Sequence, residues 1–124
     1  METQILNTIP VLPTSDLKRD VEWYKQRMGL EVYFSDDMYA VLYRGNLCLH
    51  LQWHADNIDD PLLGGSVVRI YVKNIQPIFE EFQQRGTVTA DKLKINTPWH
   101  TNEFGFYDLN KNVFYIMEEI VTDK

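Results

Sequence analysis

Apolar and polar positions along the first half of the chain follow two different periods. Alternation with a period of two predicts strands near residues 4–12, 30–34, 38–44 and 47–53. Between the first two, apolar side chains recur every three to four positions, which predicts a helix over 15–28 with a buried stripe of Leu17, Val21, Tyr24 and Met28. The first half therefore reads as strand, helix and three antiparallel strands.

The same order of elements restarts after a polar connector that contains glycine and proline, residues 55–65. A strand at 66–73 is followed by a helix from about 76 to 84 and by a weaker strand or loop at 88–95. The chain then forms an aromatic hairpin with arms at 103–107 and 113–117. Its turn, residues 108–112, is rich in Asp and Asn, which bond their own backbone and tolerate left-handed conformations.

Two copies of a strand–helix–three-strand unit predict an α+β fold built from paired βαβββ modules. We expect one domain over residues 1–124, with modules at about 4–54 and 66–119 joined by the linker 55–65. Amphipathic strands of this kind favour curved, cup-like mixed sheets with the helices outside and a concavity inside. Small ligands commonly bind in such concavities.

Composition removes several classes of function. The 124 residues carry a formal net charge of −6, which argues against nucleic-acid binding, because that function requires a basic surface. A single cysteine, Cys48, excludes an internal disulfide and a cysteine-based zinc site. The N-terminal residues do not resemble a signal peptide, and no apolar run approaches the ~18 residues of a membrane span. We therefore expect a cytoplasmic protein without a membrane partner.

Four segments in the right order resemble the vicinal oxygen chelate superfamily, which contains glyoxalases, bleomycin resistance proteins and extradiol dioxygenases. These segments are residues 10–17, 23–32, 39–49 and 108–116. The best match is to the bleomycin-resistance-type binding proteins of bacteria. Their proline-bearing first strand, Arg-Gly-x-Leu-x-Leu hairpin, Asp-Pro pair and late Trp resemble Pro10 and Pro13, residues 44–49, Asp60-Pro61 and Trp99.

The resemblance also tests for a metal site, since the enzymes of this superfamily bind a metal through His or Glu on the first and last strands of each module. At the matching positions this chain has Ile9, Val67 and Tyr115, and only His50 near the remaining position could bind. A catalytic ion needs three or more N or O ligands. The resemblance therefore implies no metal, no cofactor and no catalytic residue, and the chain is more simply read as a binding protein than as an enzyme.

The sequence leaves open whether the histidines and Glu118 bind a metal. His50 and His54 share one face of a predicted strand but lie ~13 Å apart, too far to bind one ion. His100 could come close in space, and Glu118 points to the opposite face from Tyr115. A metal-dependent lyase, transferase or dioxygenase of the same superfamily, using His50 and Glu118, is thus the alternative function.

The leading prediction is non-catalytic binding of a small aromatic molecule, resembling antibiotic sequestration of the bleomycin type. Rigid aromatic side chains hold planar ligands at low entropic cost, and a carboxylate beside them would favour a cationic ligand. Each aromatic has ordinary core packing as its alternative. The resemblance further implies a homodimer with the pocket across its interface, whereas a domain acting through a protein partner is a third hypothesis. The candidate ligand-binding residues are Phe34, Asp36, Tyr39, His50, Trp53, Asp60, Trp99, Phe104, Phe106 and Tyr115.

Overall fold

The computed structural model describes residues 1–121, so the last three positions of the predicted domain lie outside the described residues. This part of the chain forms seven strands, two α-helices and one short 3-10 helix at Ala90–Lys92. Neither α-helix is long and apolar enough to span a bilayer. The elements are β1 (Val11–Thr14), α1 (Leu17–Met28), β2 (Glu31–Ser35), β3 (Tyr39–Arg44), β4 (Leu47–Trp53), β5 (Val67–Tyr71), α2 (Ile75–Gln84), β6 (Thr101–Tyr107) and β7 (Val113–Glu119).

The strands form two mixed sheets. The first sheet has the order β1-β4-β3-β2, in which β1 runs parallel to β4 and the other pairs are antiparallel. The second sheet has the order β5-β7-β6, with β5 parallel to β7 and β6 antiparallel to it. Each parallel pair is connected through a helix, as parallel strands require. The predicted α+β class with two helix-backed mixed sheets is confirmed.

The first strand lies further along the chain than the predicted 4–12. Residues 1–8 are exposed and have no regular structure, and β1 begins only at Val11. The pairing starts where the amide of His50 donates to the carbonyl of Pro10 at 3.0 Å. Pro13 lacks an amide hydrogen, which an edge strand tolerates because one side of its backbone faces no neighbour.

The second module has one strand fewer than predicted. Residues 88–95, expected as a weaker strand or loop, contain the 3-10 helix and a single β-bridge between Lys94 and Glu103. The side chain of Thr89 bonds to Asp91, and the amide of Lys92 donates to the carbonyl of Thr89 at 3.1 Å. These local bonds compete with strand pairing, so the module is βαββ rather than βαβββ.

Helix α1 forms where its capping residues and apolar stripe predict. The carboxylate of Asp16 accepts the amide of Arg19 at 3.0 Å at its start. Gly29, with φ of 69°, ends it in the left-handed conformation that glycine adopts without strain. Three of the four predicted stripe residues, Leu17, Tyr24 and Met28, are buried.

Each sheet has two unlike faces because side chains alternate along its strands. One face, here called the core face, packs against the helices; the other is called the open face. Edge-to-face contact of Tyr24 in α1 with Phe114 in β7 joins the two modules in one core. The core-face residues include Leu12, Ala40, Leu42, Leu49 and Leu51 in the first sheet and Phe104, Phe106, Phe114 and Ile116 in the second.

Buried polar side chains tie α1 to the β6–β7 turn. The hydroxyl of Tyr24 donates to the carboxylate of Asp108, and burial beside this carboxylate raises the pKa of Tyr24. Asp108 also accepts the side-chain amide of Asn112 at 2.9 Å. The sequence predicts that the turn contains a left-handed residue, and Lys111 adopts this conformation with φ of 65°. Because every partner is buried, this network fixes where the hairpin sits against α1.

A second polar connection joins β3 to α2. Arg44 makes a bidentate ion pair with Glu81, with nitrogen–oxygen distances of 2.8 and 2.7 Å. Arg85 donates to the same carboxylate at 2.6 Å. The Arg44 and then the Arg85 hydrogen bonds lower the pKa of Glu81 from its ordinary 4.5 to about 2. The charged carboxylate is therefore the form that holds the modules together.

We predict that Glu81→Gln lowers the free energy of unfolding by about 1–2 kcal/mol at pH 7, since it removes charge-assisted hydrogen bonds. The folded pKa of Glu81 lies below its ordinary value, so its contribution is present above pH 4.5 and is lost as the pH falls toward 2. Urea unfolding across this range should thus show a shallower loss of stability in the variant. The control is Glu80→Gln, which removes a carboxylate of the same helix that is bonded only to Gln76. Equal pH dependence in Glu81→Gln and the native protein would contradict the assignment.

Candidate functional site

Three predicted site residues meet on the open face of the first sheet. The predicted residues are Phe34, Tyr39 and His50. Phe34 pairs with Val41, which pairs in turn with His50, so the side chains of Phe34, Val41 and His50 share this face. The hydroxyl of Tyr39 is hydrogen-bonded to Nδ1 of His50 at 2.7 Å, and their rings meet edge to face. Phe34 is exposed and the other three side chains are half-buried. The open face thus presents an aromatic surface with one oriented imidazole.

The open face of the second sheet carries Tyr115 at its centre. Tyr115 pairs with Gly105 on one side and with Arg69 on the other. A Cβ at position 105 would lie 2.8 Å from the Tyr115 ring, so glycine is needed for this ring to lie against β6. The Arg69 guanidinium stands 5.2 Å from the ring centroid, within the range of a cation–π contact.

Trp99 is held against the same face by a buried carboxylate. Its indole Nε1–H donates to Glu103 at 2.6 Å, and the hydroxyl of Thr101 donates to the same oxygen at 2.5 Å. Glu103 is only 4% exposed, whereas Trp99 remains 57% exposed. Trp99 therefore combines a fixed hydrogen-bonded edge with an accessible ring.

The loop that carries Trp99 is itself rigidly bonded. The amide of Thr97 donates to the carbonyl of Thr101 at 2.9 Å, and the amide of His100 donates to the carbonyl of Thr97 at the same distance. The two threonine hydroxyls lie 2.7 Å apart in a further hydrogen bond. A loop closed by its own hydrogen bonds places the indole before any ligand arrives, which lowers the entropic cost of binding.

Three predicted aromatics lie on core faces instead. Phe104 and Phe106 are buried and contact Phe82 of α2. Trp53 is half-buried, pairs with the buried Thr14, and packs against the same core. All three fill the space between sheets and helices. These three side chains therefore pack in the core, as the alternative to ligand binding predicted.

The two predicted carboxylates have structural partners. Asp36 accepts the amides of Met38 and Tyr39, both at 2.8 Å, and so shapes the β2–β3 turn. Asp60 accepts the amide of Ala55 and Nδ1–H of His54 at 2.8 and 2.7 Å, and these bonds, the backbone one first, lower its pKa. Both oxygens of Asp60 are thus engaged by His54 and Ala55.

Glu118, the acid that the alternative metal site would use, has a structural role. Glu118 lies on the core face, where its carboxylate accepts the amide of Ile75 at 3.0 Å and the side chain of Asn102 at 2.9 Å. It caps the start of α2, and these bonds, that from Asn102 first, lower its pKa. Residues 1–121 contain no cluster of three or more His, Cys, Asp or Glu that could hold an ion. His50 is therefore without the partners that a metal would require.

Sequence reasoning missed three residues that complete the second open face. Glu103 anchors Trp99, the buried Met117 pairs with Glu103 on the same face, and Arg69 makes a cation–π contact with Tyr115. The period of the strands held the signal, because Glu103, Gly105 and Tyr107 alternate with the core residues of β6. To predict that Arg69 pairs with Tyr115, one must know the register of the parallel strands β5 and β7, which local sequence does not determine.

Comparisons with known proteins agree with this architecture. No protein-family model matches the sequence. The fold is that of a glyoxalase/bleomycin resistance protein/dioxygenase from Nocardioides, which aligns with a TM-score of 0.76 and 18% identity over 100% of this chain and 89% of that one. A bleomycin-binding protein from Streptomyces verticillus, solved with copper(II)-bleomycin, aligns with a TM-score of 0.69 and 21% identity over 98% of this chain and 100% of that one.

A relative found by sequence points in the same direction. The bleomycin resistance protein of Geobacillus stearothermophilus is 22% identical over 130 aligned positions, which span 94% of this chain and 98% of that protein. With the two structures, this match confirms the resemblance carried by the sequence motifs. In fold the chain is similar to glyoxalase/bleomycin resistance/dioxygenase proteins, and in sequence it is similar to a bleomycin resistance protein.

The Trp99–Glu103 contact yields a prediction for the loop. Glu103→Leu removes the acceptor shared by Trp99 and Thr101, so we expect a loss of about 1–3 kcal/mol in the free energy of unfolding. Freed from the carboxylate, the indole proton should lose its downfield proton NMR shift. Glu119→Leu, which removes an exposed carboxylate paired with Thr101 on the same face, is the control and should change neither quantity. An unchanged indole shift in Glu103→Leu would refute the clamp.

Proposed function

We propose that this protein binds a small aromatic molecule on its open faces, without chemical conversion, in the manner of an antibiotic-sequestering protein. The observation that carries the proposal is Trp99, whose indole is clamped by a buried carboxylate while most of its ring stays accessible. Tyr115 lies on the same face, and its strand partner Gly105 is two residues beyond Glu103 in β6. Core aromatics are not left exposed on preformed loops, whereas binding surfaces use such rings.

The relatives support the choice of ligand class. A bleomycin resistance protein and a bleomycin-binding protein align with almost the whole chain, at 22% and 21% identity. The bleomycin-binding protein also shares the fold, with a TM-score of 0.69. Bleomycin-type glycopeptides are thus the first ligands to test, and resistance of a bacterial host is the biological role that we propose. The cytoplasm stays a prediction for the compartment.

We also propose that the chain acts as a homodimer. Each sheet packs its core face mainly against one helix, α1 for the first sheet and α2 for the second, so neither helix covers an open face. These faces expose a set of large apolar and aromatic side chains that a second copy could cover. They are Val11, Phe34, Tyr43, Val67, Tyr71 and Tyr107. Sedimentation equilibrium should give twice the chain mass, and a monomer at 100 µM would contradict the dimer, since ~1,600 Å² interfaces hold far below that concentration.

Binding is tested directly by thermal shift and calorimetry with bleomycin and a panel of planar aromatic antibiotics. A ligand present at about a hundredfold its Kd should add about 2.7 kcal/mol to the stability. Trp99→Ala should weaken binding by roughly tenfold or more, as expected for an aromatic anchor. The control Ile58→Ala removes an exposed apolar side chain from the linker and should have no effect. Equal affinity for native protein and Trp99→Ala would exclude this face as the site.

The alternative of a metal-dependent enzyme is tested on the same sample. The positions of Ile9, Val67 and Tyr115 offer no ligand for a divalent ion, and Glu118 caps α2 on the core face. Metal analysis of the purified protein, with Ni, Zn, Mn and Fe measured, therefore separates the two functions. A stoichiometric ion that a chelator removes together with a lyase, transferase or dioxygenase activity would overturn the binding proposal.

A further inference from the structure

A pocket of about 570 Å³ lies at the outer edge of the second sheet's open face. One wall is the open face itself, through Gly105, Tyr107, Val113 and Tyr115. The other wall is the segment that replaces the missing strand, residues 86–94. The replacement of a paired strand by a 3-10 helix and one β-bridge is thus what opens this space.

The charged side chains that line this pocket are of one sign. Its lining includes Lys92 and Lys94, and among residues 1–121 it includes no Asp or Glu. Neither lysine makes a salt bridge with a described residue. The nearest acid in sequence, Asp91, accepts the hydroxyl of Thr89. The chain has a net charge of −6, so two lysines without salt bridges make the electrostatic potential at this pocket more positive than over the rest of the surface.

The wall formed by the open face is aromatic. The Tyr115 ring lies against Gly105, and Tyr107 stands two residues further along the same strand face. Arg69 adds a third cation at the far side of the Tyr115 ring. The acid of this face, Glu103, is the β-bridge partner of Lys94, but its buried carboxylate accepts hydrogen bonds from Trp99 and Thr101 and makes no salt bridge with that lysine.

We propose that this pocket binds a planar aromatic carboxylate, with the ring on Tyr115 and the carboxylate at Lys92 and Lys94. The inference rests on the proposed function and deepens it by giving the charge of the ligand. It differs from the cationic ligand expected from Asp36 and Asp60, because those carboxylates are bonded within a turn and the linker. A charge-assisted bond between ammonium and carboxylate is about twice as strong as a neutral one.

The test uses three probes that share one ring system: 2-naphthoate, 2-naphthalenemethanol and 2-naphthylmethylammonium. Calorimetry at low ionic strength should rank the carboxylate roughly tenfold tighter than the alcohol, with the ammonium weakest, as expected for unpaired surface cations. Lys92→Gln/Lys94→Gln should reduce the naphthoate affinity to that of the alcohol and leave the alcohol unchanged. The matched control is Lys18→Gln/Lys25→Gln, which removes the same charge from exposed positions of α1.

The possible failures are distinguishable. Tighter binding of the ammonium than of the carboxylate would overturn the charge of the ligand while leaving aromatic binding intact. An equal loss of naphthoate affinity in both double variants would overturn the pocket, since net charge alone would then explain the preference. If none of the three probes binds, both this inference and aromatic binding at the second open face are refuted, whereas a ligand bound at the first open face would still shift the melting temperature in the antibiotic panel.

Discussion

One shared core determines the rest of this structure. The first sheet packs its apolar face mainly against α1 and the second mainly against α2, and Tyr24 of α1 contacts Phe114 of β7, which joins the two modules in one core. Because side chains alternate along every strand, packing one face inward forces the other face outward. The buried Tyr24–Asp108 bond and the Arg44–Glu81 ion pair then fix the modules against each other. The open faces are therefore a consequence of the core, and their rigidity comes from it.

The same constraint decides which side chains the open faces present. The open faces carry Trp99, Tyr115, Tyr39 and His50, which are rings with fixed edges rather than a converging set of ligands. The acid that sequence comparison brings closest to a metal position, Glu118, alternates onto the core face and caps α2. Preorganised rings bind planar molecules with little loss of entropy. Such rings are the basis of the binding function that we propose.

Much of this was predictable from the sequence, and the failures have physical causes. Helix α1, the β3–β4 hairpin and the aromatic hairpin have local signals in their periodicity, capping residues and turns. The strand predicted at 4–12 and the one at 88–95 depend instead on partners, which local sequence does not reveal. Among the candidate site residues, Phe104 and Phe106 could not be told from Tyr115 without the strand register. Glu103 was missed because a buried carboxylate looks like any surface acid in sequence.

The most direct test of the account is chemical-shift mapping with an isotope-labelled protein and a bound aromatic ligand. If the open faces are the binding surface, the largest shifts will fall on the Trp99 indole and on the amides of Gly105 and Tyr115, with the first sheet contributing Tyr39 and His50. The core residues of α1 and α2 should shift little, since their packing is common to both states. Shifts concentrated on the helices, with Trp99 and Tyr115 unchanged, would contradict the central claim.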